Sequence, residues 1–541
     1  MLTKRFVCGL MSVVTVVLVA CAPAATPTRV YEAPASDGAA ASAASSDFYV
    51  PAATQAAGNT SPQSIFPAAP APAGGMQPPN GQSAGDMFFQ NYGVNPSVDT
   101  EDDHLSTFAL DVDTGSYSVA RRYVNDGSLP PKDAVRVEEF INYFDQDYPN
   151  PPEHQAFGIN IDGASSTPFD ESGRYQMMRV GVQGYAVPPE LRKDVSLTFV
   201  IDVSGSMDIE NRLGLVKRSL ELLVEQLDSR DRVAIVVFGT QAHLVLEPTS
   251  GEDKGVILDA IRSLHAEGVT NAAEGLRLGY KVASRAYNSE AVNRVILCSD
   301  GVANVGKTGA GSIWESVDKY AKDGGITLAT IGFGMGNYND VLMEQLADHG
   351  DGFYAYVDTI AEARRLFVQN LTGTLQVIAR NAKVQVDFNP AVVARYRLVG
   401  YENRAVADDQ FRDNSVDAGE IGAGHSSTAL YEIKLQPEAS GRIATVYLRW
   451  EDPDTHQVVE LSRDFQTGQM AESFHETAPR FQWSVIVAEY AEILRGSYWA
   501  QDSSAGDVLV QARRVSDLLP EDQDVSEFVE LVRQANRLAD W

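Results

Sequence analysis

The run Val195–Ile201, VSLTFVI, carries no charge and is almost wholly apolar, and it constrains the fold more than any other stretch. Such a run fits a strand buried on both faces, the environment of a parallel sheet covered by helices. The chain after it keeps an alternating rhythm. Apolar spacing predicts helices over 212–227, 254–264, 271–286, 313–322 and 340–347, with strands over 232–238, 294–298 and 326–331. Leu213, Val216, Leu220, Leu223 and Leu227 lie along one stripe of the first of these helices. The alternation predicts an α/β fold, a doubly wound, mainly parallel, Rossmann-like sheet. In such sheets ligands bind beyond the carboxyl ends of the strands.

The polar residues of interest fall at those ends. The first strand runs into Asp202-Val203-Ser204-Gly205-Ser206-Met207, Thr270 sits in a turn before a helix, and Asp300 closes VILCSD. Two carboxylates and three hydroxyls form a hard oxygen set that suits Mg²⁺, with Mn²⁺ or Ca²⁺ as substitutes and water completing the shell. So few carboxylates leave a bound ion electrophilic, able to accept a carboxylate from a protein partner. On these residues the chain resembles the von Willebrand factor type A (VWA) family, whose metal-ion-dependent adhesion site they match. The resemblance implies that Ser204, Ser206 and Thr270 contact the metal directly or through water. It implies that Asp202 and Asp300 act largely through water. The competing reading is that these serines and aspartates only cap helices.

Two other motifs compete for a function. Residues 301–308, GVANVGKT, satisfy the P-loop pattern, but Gly309-Ala310-Gly311 interrupts the helix that a P-loop needs at its Gly-Lys-Thr. Ser312-Ile313-Trp314-Glu315 reads instead as a capping box that starts the helix later. Asp113-Thr114-Gly115-Ser116 matches the aspartic-protease signature, whose chemistry needs a second carboxylate sharing one proton. No second Asp-Thr-Gly or Asp-Ser-Gly occurs, and helices follow the motif. It reads as a strand end and a helix capped by Ser or Thr. Cys298 lies within an apolar strand and reads as a buried small hydrophobe.

The N-terminus reads as an address. Lys4 and Arg5 precede an apolar run over 6–20 that is short for a membrane span and suits a signal-peptide core. Leu18-Val19-Ala20-Cys21 resembles the lipobox of bacterial lipoproteins. That resemblance implies cleavage after residue 20, acylation of Cys21 and, with Ala22 following, sorting to the outer membrane of a Gram-negative bacterium. Ordinary secretion with cleavage near the alanines is the alternative. Residues 21–95 are rich in Ala, Pro, Ser and Gly and read as a disordered tether. The formal net charge of −30 argues against nucleic-acid binding and leaves lipid, rather than basic residues, to hold the protein to a membrane.

The remaining chain divides around the sheet. A strand followed by a helix is expected over 106–124, and a second helix over AVRVEEFINYF, within an N-terminal helical region 96–152. Strands in 153–190 are expected to pair with a β-sandwich at 373–470, so that the type A domain, 191–372, is inserted between its halves. Residues 471–541 read as about three amphipathic helices packed on that sandwich. The segments 111–144, 332–359, 422–433 and 481–495 resemble a bacterial subfamily of type A proteins over nearly the whole chain. The expectation is a non-enzymatic, lipid-anchored envelope protein that binds a protein partner through Mg²⁺. Its rivals are a metal- or nucleotide-dependent hydrolase and a structural lipoprotein with a vestigial metal site.

Overall fold

Alternate residues of the strand Val195–Asp202 feed two different cores. Leu197, Phe199 and Ile201 join Val216, Leu220 and Ile257 on one face, while Val200 joins Leu276, Tyr280 and Leu297 on the other. All eight residues of the strand are buried, as helices on both sheet faces require. In the computed structural model the described residues are 89–538, apart from 111, 171–172, 209–211, 269, 302–316, 318–319, 321–323, 335–338 and 417. They all fall within one compact unit, 74–541.

The central sheet has six strands, in the order Tyr354–Val357, Ile326–Phe333, Val292–Ser299, Val195–Asp202, Arg232–Phe238 and Ala242–Ser250. The first five run parallel and the last is antiparallel. Helices Leu213–Gln226 and Lys254–Ser263 cover one face, and Ala272–Arg285 and Asp340–His349 cover the other. The chain order reverses around Val195–Asp202, which makes its carboxyl end the topological switch point of the sheet. Two strands depart from the sequence reading, which ended the sheet at 326–331 and passed from 238 straight to a helix. Ala242–Ser250 is half-exposed, with Leu246 its buried residue, and a short turn folds it back antiparallel along the edge. Tyr354–Val357 is only four residues long, too short for a pattern to reveal. The helix expected over 313–322 lies mostly outside the described residues.

A sandwich of two antiparallel sheets accompanies this body. One sheet runs Val98–Asp99, Val393–Val399, Ser426–Leu435, Gln176–Gly184, Phe157–Ala164. In the other, Val377–Phe388 pairs with Arg442–Glu451 on one side and with Leu105–Ala109 and Gly419–Gly422 on the other, and Val458–Gln466 is the outer strand. Their inner faces meet through Val180, Tyr431 and Phe157 against Val386, Leu448 and Trp450, with the Phe157 and Trp450 rings 5.0 Å apart. Strands that precede and follow the six-stranded domain in the chain, Gln176–Gly184 and Ser426–Leu435, therefore share one sheet.

Residues 96–152 and 471–541, read separately in the sequence, share one core. Helices Gly115–Asn125 and Val137–Asn142 pack with Pro479–Arg495, Ala505–Ser516 and Gln523–Leu538 around Tyr117, Phe144, Trp483, Tyr490 and Phe528. Val135 and Arg136 break the long helix expected over 134–144: only Val137–Asn142 is α-helical. The expected Ser or Thr cap is also absent. Thr114 stands at the N-cap of the first helix without a side-chain bond, and Glu139 accepts the Ser116 N–H instead, at 2.7 Å.

Buried charges fasten this helical body to the domain built on the six-stranded sheet. The Arg121 guanidinium donates to both oxygens of Asp358, at 2.9 and 2.6 Å, to Glu362 at 3.0 Å and to the Tyr143 hydroxyl at 2.6 Å. Burial pushes the Asp358 carboxyl up although Arg121 pulls it down, so desolvation is not fully offset. Removing one partner of such a group strands the other. Arg121→Ala should lower stability by about 3–5 kcal/mol in urea denaturation. Arg122→Ala, which loses a surface pair with Asp126, should cost about 1 kcal/mol or less. Equal losses from the two variants would contradict this assignment.

Candidate functional site

The site is built on the loop that leaves the switch-point strand. Asp202, fully buried, ends that strand, and its two oxygens are both occupied. One accepts the Ser204 N–H at 2.8 Å and the other accepts the Ser299 hydroxyl at 2.9 Å. The loop then makes a 3₁₀ turn over Gly205–Asp208, with the Met207 side chain buried beneath it. That turn brings the Ser204 and Ser206 hydroxyl oxygens to 3.0 Å from each other. Ser204 is buried and Ser206 exposed, so the pair leads from the buried carboxylate to the surface.

Two further loops close on this one. The Gly205 N–H donates to the Gly268 carbonyl at 3.0 Å, and Thr270 follows two residues later, just before helix Ala272–Arg285. Gly268 has φ +75° and a Cβ there would lie 2.1 Å from Thr240 Oγ1, so glycine is required on both counts. Asp300, 7% exposed, follows strand Val292–Ser299, and the next residue, Gly301, donates its N–H to Ser299 Oγ at 3.2 Å. Asp300 pairs with the Arg212 guanidinium, which also donates to the Ser206 carbonyl at 2.9 Å. Asp202, Ser204, Ser206 and Asp300 are thus linked by direct hydrogen bonds or through Ser299 and Arg212. Thr270 is placed on the neighbouring loop.

The sequence reading did not name Ser299 or Arg212. Ser299 stands beside Asp300 in the strand-end Ser-Asp pair, a signal that was there to read. Arg212 reaches Asp300 across 88 positions, and no spacing announces such a pair. Burial pushes the Asp202 carboxyl up to about 6, and Asp300 adds to the rise, against the hydrogen bonds from Ser204 and Ser299. The donor set fits a hard divalent cation: two carboxylates in reach of hydroxyls, one of the carboxylates buried with its charge poorly compensated. Among the described residues no group of three His, Cys, Asp or Glu forms an alternative metal cluster.

Other sequence candidates resolve differently. Asp113 accepts the Tyr354 N–H at 3.4 Å and pairs with Arg404 at 3.2 Å, so its carboxylate serves packing between segments. Cys298 is fully buried and burial pushes its thiol well up, as for an inert core residue. Residues 302–308 of the P-loop-like segment, and Cys21, lie outside the described residues.

The raised Asp202 value makes a sign-definite prediction. The folded protein holds that proton more tightly than the unfolded chain, so stability is lost as pH rises from the ordinary 3.8 through about 6. In chelator, Asp202→Asn should therefore be more stable than the parent at pH 8, by about 2–3 kcal/mol, and the gain should vanish near pH 4. A difference independent of pH in thermal or urea unfolding would contradict it.

Three family models match most of the described chain. The "von Willebrand factor type A domain" model matches residues 196–371, a "von Willebrand factor" model matches 83–178, and "Uncharacterized protein YfbK, C-terminal" matches 373–538. The Escherichia coli (strain K12) protein YfbK is 33% identical over 488 residues, covering 84% of this chain and 82% of its own. Protein sll0103 of Synechocystis is 27% identical over 294 residues, covering 53% of this chain and 69% of its own. A von Willebrand factor type A structure from Catenulispora acidiphila aligns with TM-score 0.42 at 15% identity, over 72% of this chain and 91% of that one. The chain is a type A domain protein and belongs to the YfbK family.

Proposed function

We propose that this protein is a lipid-anchored component of the bacterial cell envelope that recognises a protein partner through a divalent cation held by Asp202, Ser204, Ser206, Thr270 and Asp300. One observation carries the reading. A fully buried carboxylate and two hydroxyls 3.0 Å apart open toward solvent at the switch point of a doubly wound sheet. Type A domains often mediate metal-dependent protein–protein contacts, and this chain carries one at 196–371.

Each residue has a part in that reading. Ser206 offers a neutral oxygen at the mouth and Ser204 one beneath it, with Thr270 offering a third from the adjoining loop. Asp202 orients the Ser204 amide and, with Ser299, fixes the base of the cup. Asp300 supplies the second negative charge. A bound Mg²⁺ would supply an electrophilic position that an acidic side chain of the partner completes. With two carboxylates among the five proposed ligands, the ion keeps a net positive charge for an acidic side chain of the partner.

The envelope part of the reading rests on the sequence of residues 1–95. Cys21 in its lipobox-like setting supplies the anchor, and 21–95 supply reach away from the bilayer. Among the described residues no helix is long and apolar enough to cross a membrane. Several acyl chains make a stable attachment without one.

Each half of the reading has its own test. Millimolar Mg²⁺ should raise the unfolding temperature of the purified protein, since a ligand of the folded state stabilises it in proportion to RT ln(1 + [L]/Kd). Ser206→Ala, an exposed change, should weaken Mg²⁺ binding about tenfold, or about 1.4 kcal/mol. Crosslinking to an envelope partner should disappear in chelator; partner capture unchanged in chelator sinks the proposal. Cys21→Ser should move the protein from the membrane to the soluble fraction, and unchanged membrane retention would contradict the anchor.

A further inference from the structure

We infer that Arg212 is a resident cation of this cup, one that holds Asp300 until a divalent ion displaces it and so keeps the metal affinity low. The inference rests on the metal reading above and deepens it.

Arg212 is the residue before helix Leu213–Gln226, at the N-cap, and its guanidinium turns back over the site. Nη1 donates both to Asp300 Oδ2 and to the Ser206 carbonyl, so one nitrogen bridges two of the three loops. The ion pair is largely shielded, with the two side chains 8% and 10% exposed. Its position is enforced from behind. Gly334 follows the neighbouring strand Ile326–Phe333, and a Cβ there would lie 2.6 Å from Arg212 Cγ and 2.7 Å from Nε. The Gly334 carbonyl is itself held by the Tyr356 hydroxyl at 2.8 Å. Glycine at this position, with φ +85°, makes room for the guanidinium.

The electrostatic consequence follows directly. Among the described residues of the site Asp300 is one of two carboxylates, with Asp202, and a shielded monovalent cation already neutralises it. A divalent ion must either replace Arg212 at Asp300 or bind beside a positive charge, and both lower its affinity. Removing the charge while keeping the bulk of the side chain removes that competition. Methionine and glutamine both do so, and glutamine keeps a donor for the Ser206 carbonyl.

Calorimetric titration of the purified protein with MgCl₂ tests this, with Arg212→Met, Arg212→Gln, Arg212→Lys and Asp202→Ala compared with the parent. Thermal unfolding selects the folded variants. The two uncharged variants should bind Mg²⁺ about tenfold or more tighter than the parent, while Arg212→Lys stays within about threefold of it. Binding by Arg212→Met or Arg212→Gln where the parent shows none supports the inference equally. Equal or weaker Mg²⁺ binding by the uncharged variants, with the parent still binding, overturns the role of Arg212 and leaves the metal reading standing. Absence of Mg²⁺ binding in every form, the uncharged variants included, overturns both.

Discussion

Both ends of the type A body are tied into one β-sandwich. The chain enters it after strand Gln176–Gly184 and leaves it into strand Val377–Phe388, and these strands lie in the two facing sheets. Gln176–Gly184 is held in turn by Ser426–Leu435 through a continuous antiparallel register. An insertion anchored at both ends cannot swing freely about a single linker. The Arg121, Asp358 and Glu362 cluster adds a third fastening just after the edge strand Tyr354–Val357, where helix Gly115–Asn125 meets the domain. The sheet that carries the candidate site is therefore presented as part of one body, with the site at its carboxyl strand ends.

At those ends the fold concentrates costs that its core avoids. Asp202 is a fully buried acid whose hydrogen bonds only partly offset its desolvation. Loops are pressed so closely that Gly268 admits no side chain, and a cation from another segment lies on Asp300. Strain and buried charge of this kind gather where a ligand is to be received rather than where packing is decided. A divalent cation bound as proposed would relieve the first of these costs and compete with the last. On the proposed reading that opposition would make occupancy of the cup sensitive to ion concentration instead of permanently saturated.

Much of this was readable from residue patterns. The uncharged run 195–201 announced a doubly buried strand because burial on both faces removes the alternation of a half-exposed one. The Asp-x-Ser-x-Ser motif announced its own loop because backbone adjacency brings its hydroxyls together. Features that depend on distant segments were not readable. The edge strand Ala242–Ser250 is half-exposed, and its register comes from its neighbour Arg232–Phe238. The N-terminal helix takes its capping acceptor from Glu139 rather than Thr114, a choice made by packing. The shared aromatic core of residues 96–152 and 471–541 joins the two ends of the folded chain, and composition shows both as amphipathic without saying that they meet. Arg212 belongs to the same class, since only the fold brings it to Asp300.

The central claim is that these five side chains cradle a metal. Anomalous diffraction from crystals of the mature protein grown with Mn²⁺ addresses it most directly. The account predicts one strong peak within ligand distance of the Ser204 and Ser206 hydroxyls, lost in Asp202→Ala crystals. A peak elsewhere, or none at the Asp202 strand end at millimolar Mn²⁺, would contradict it.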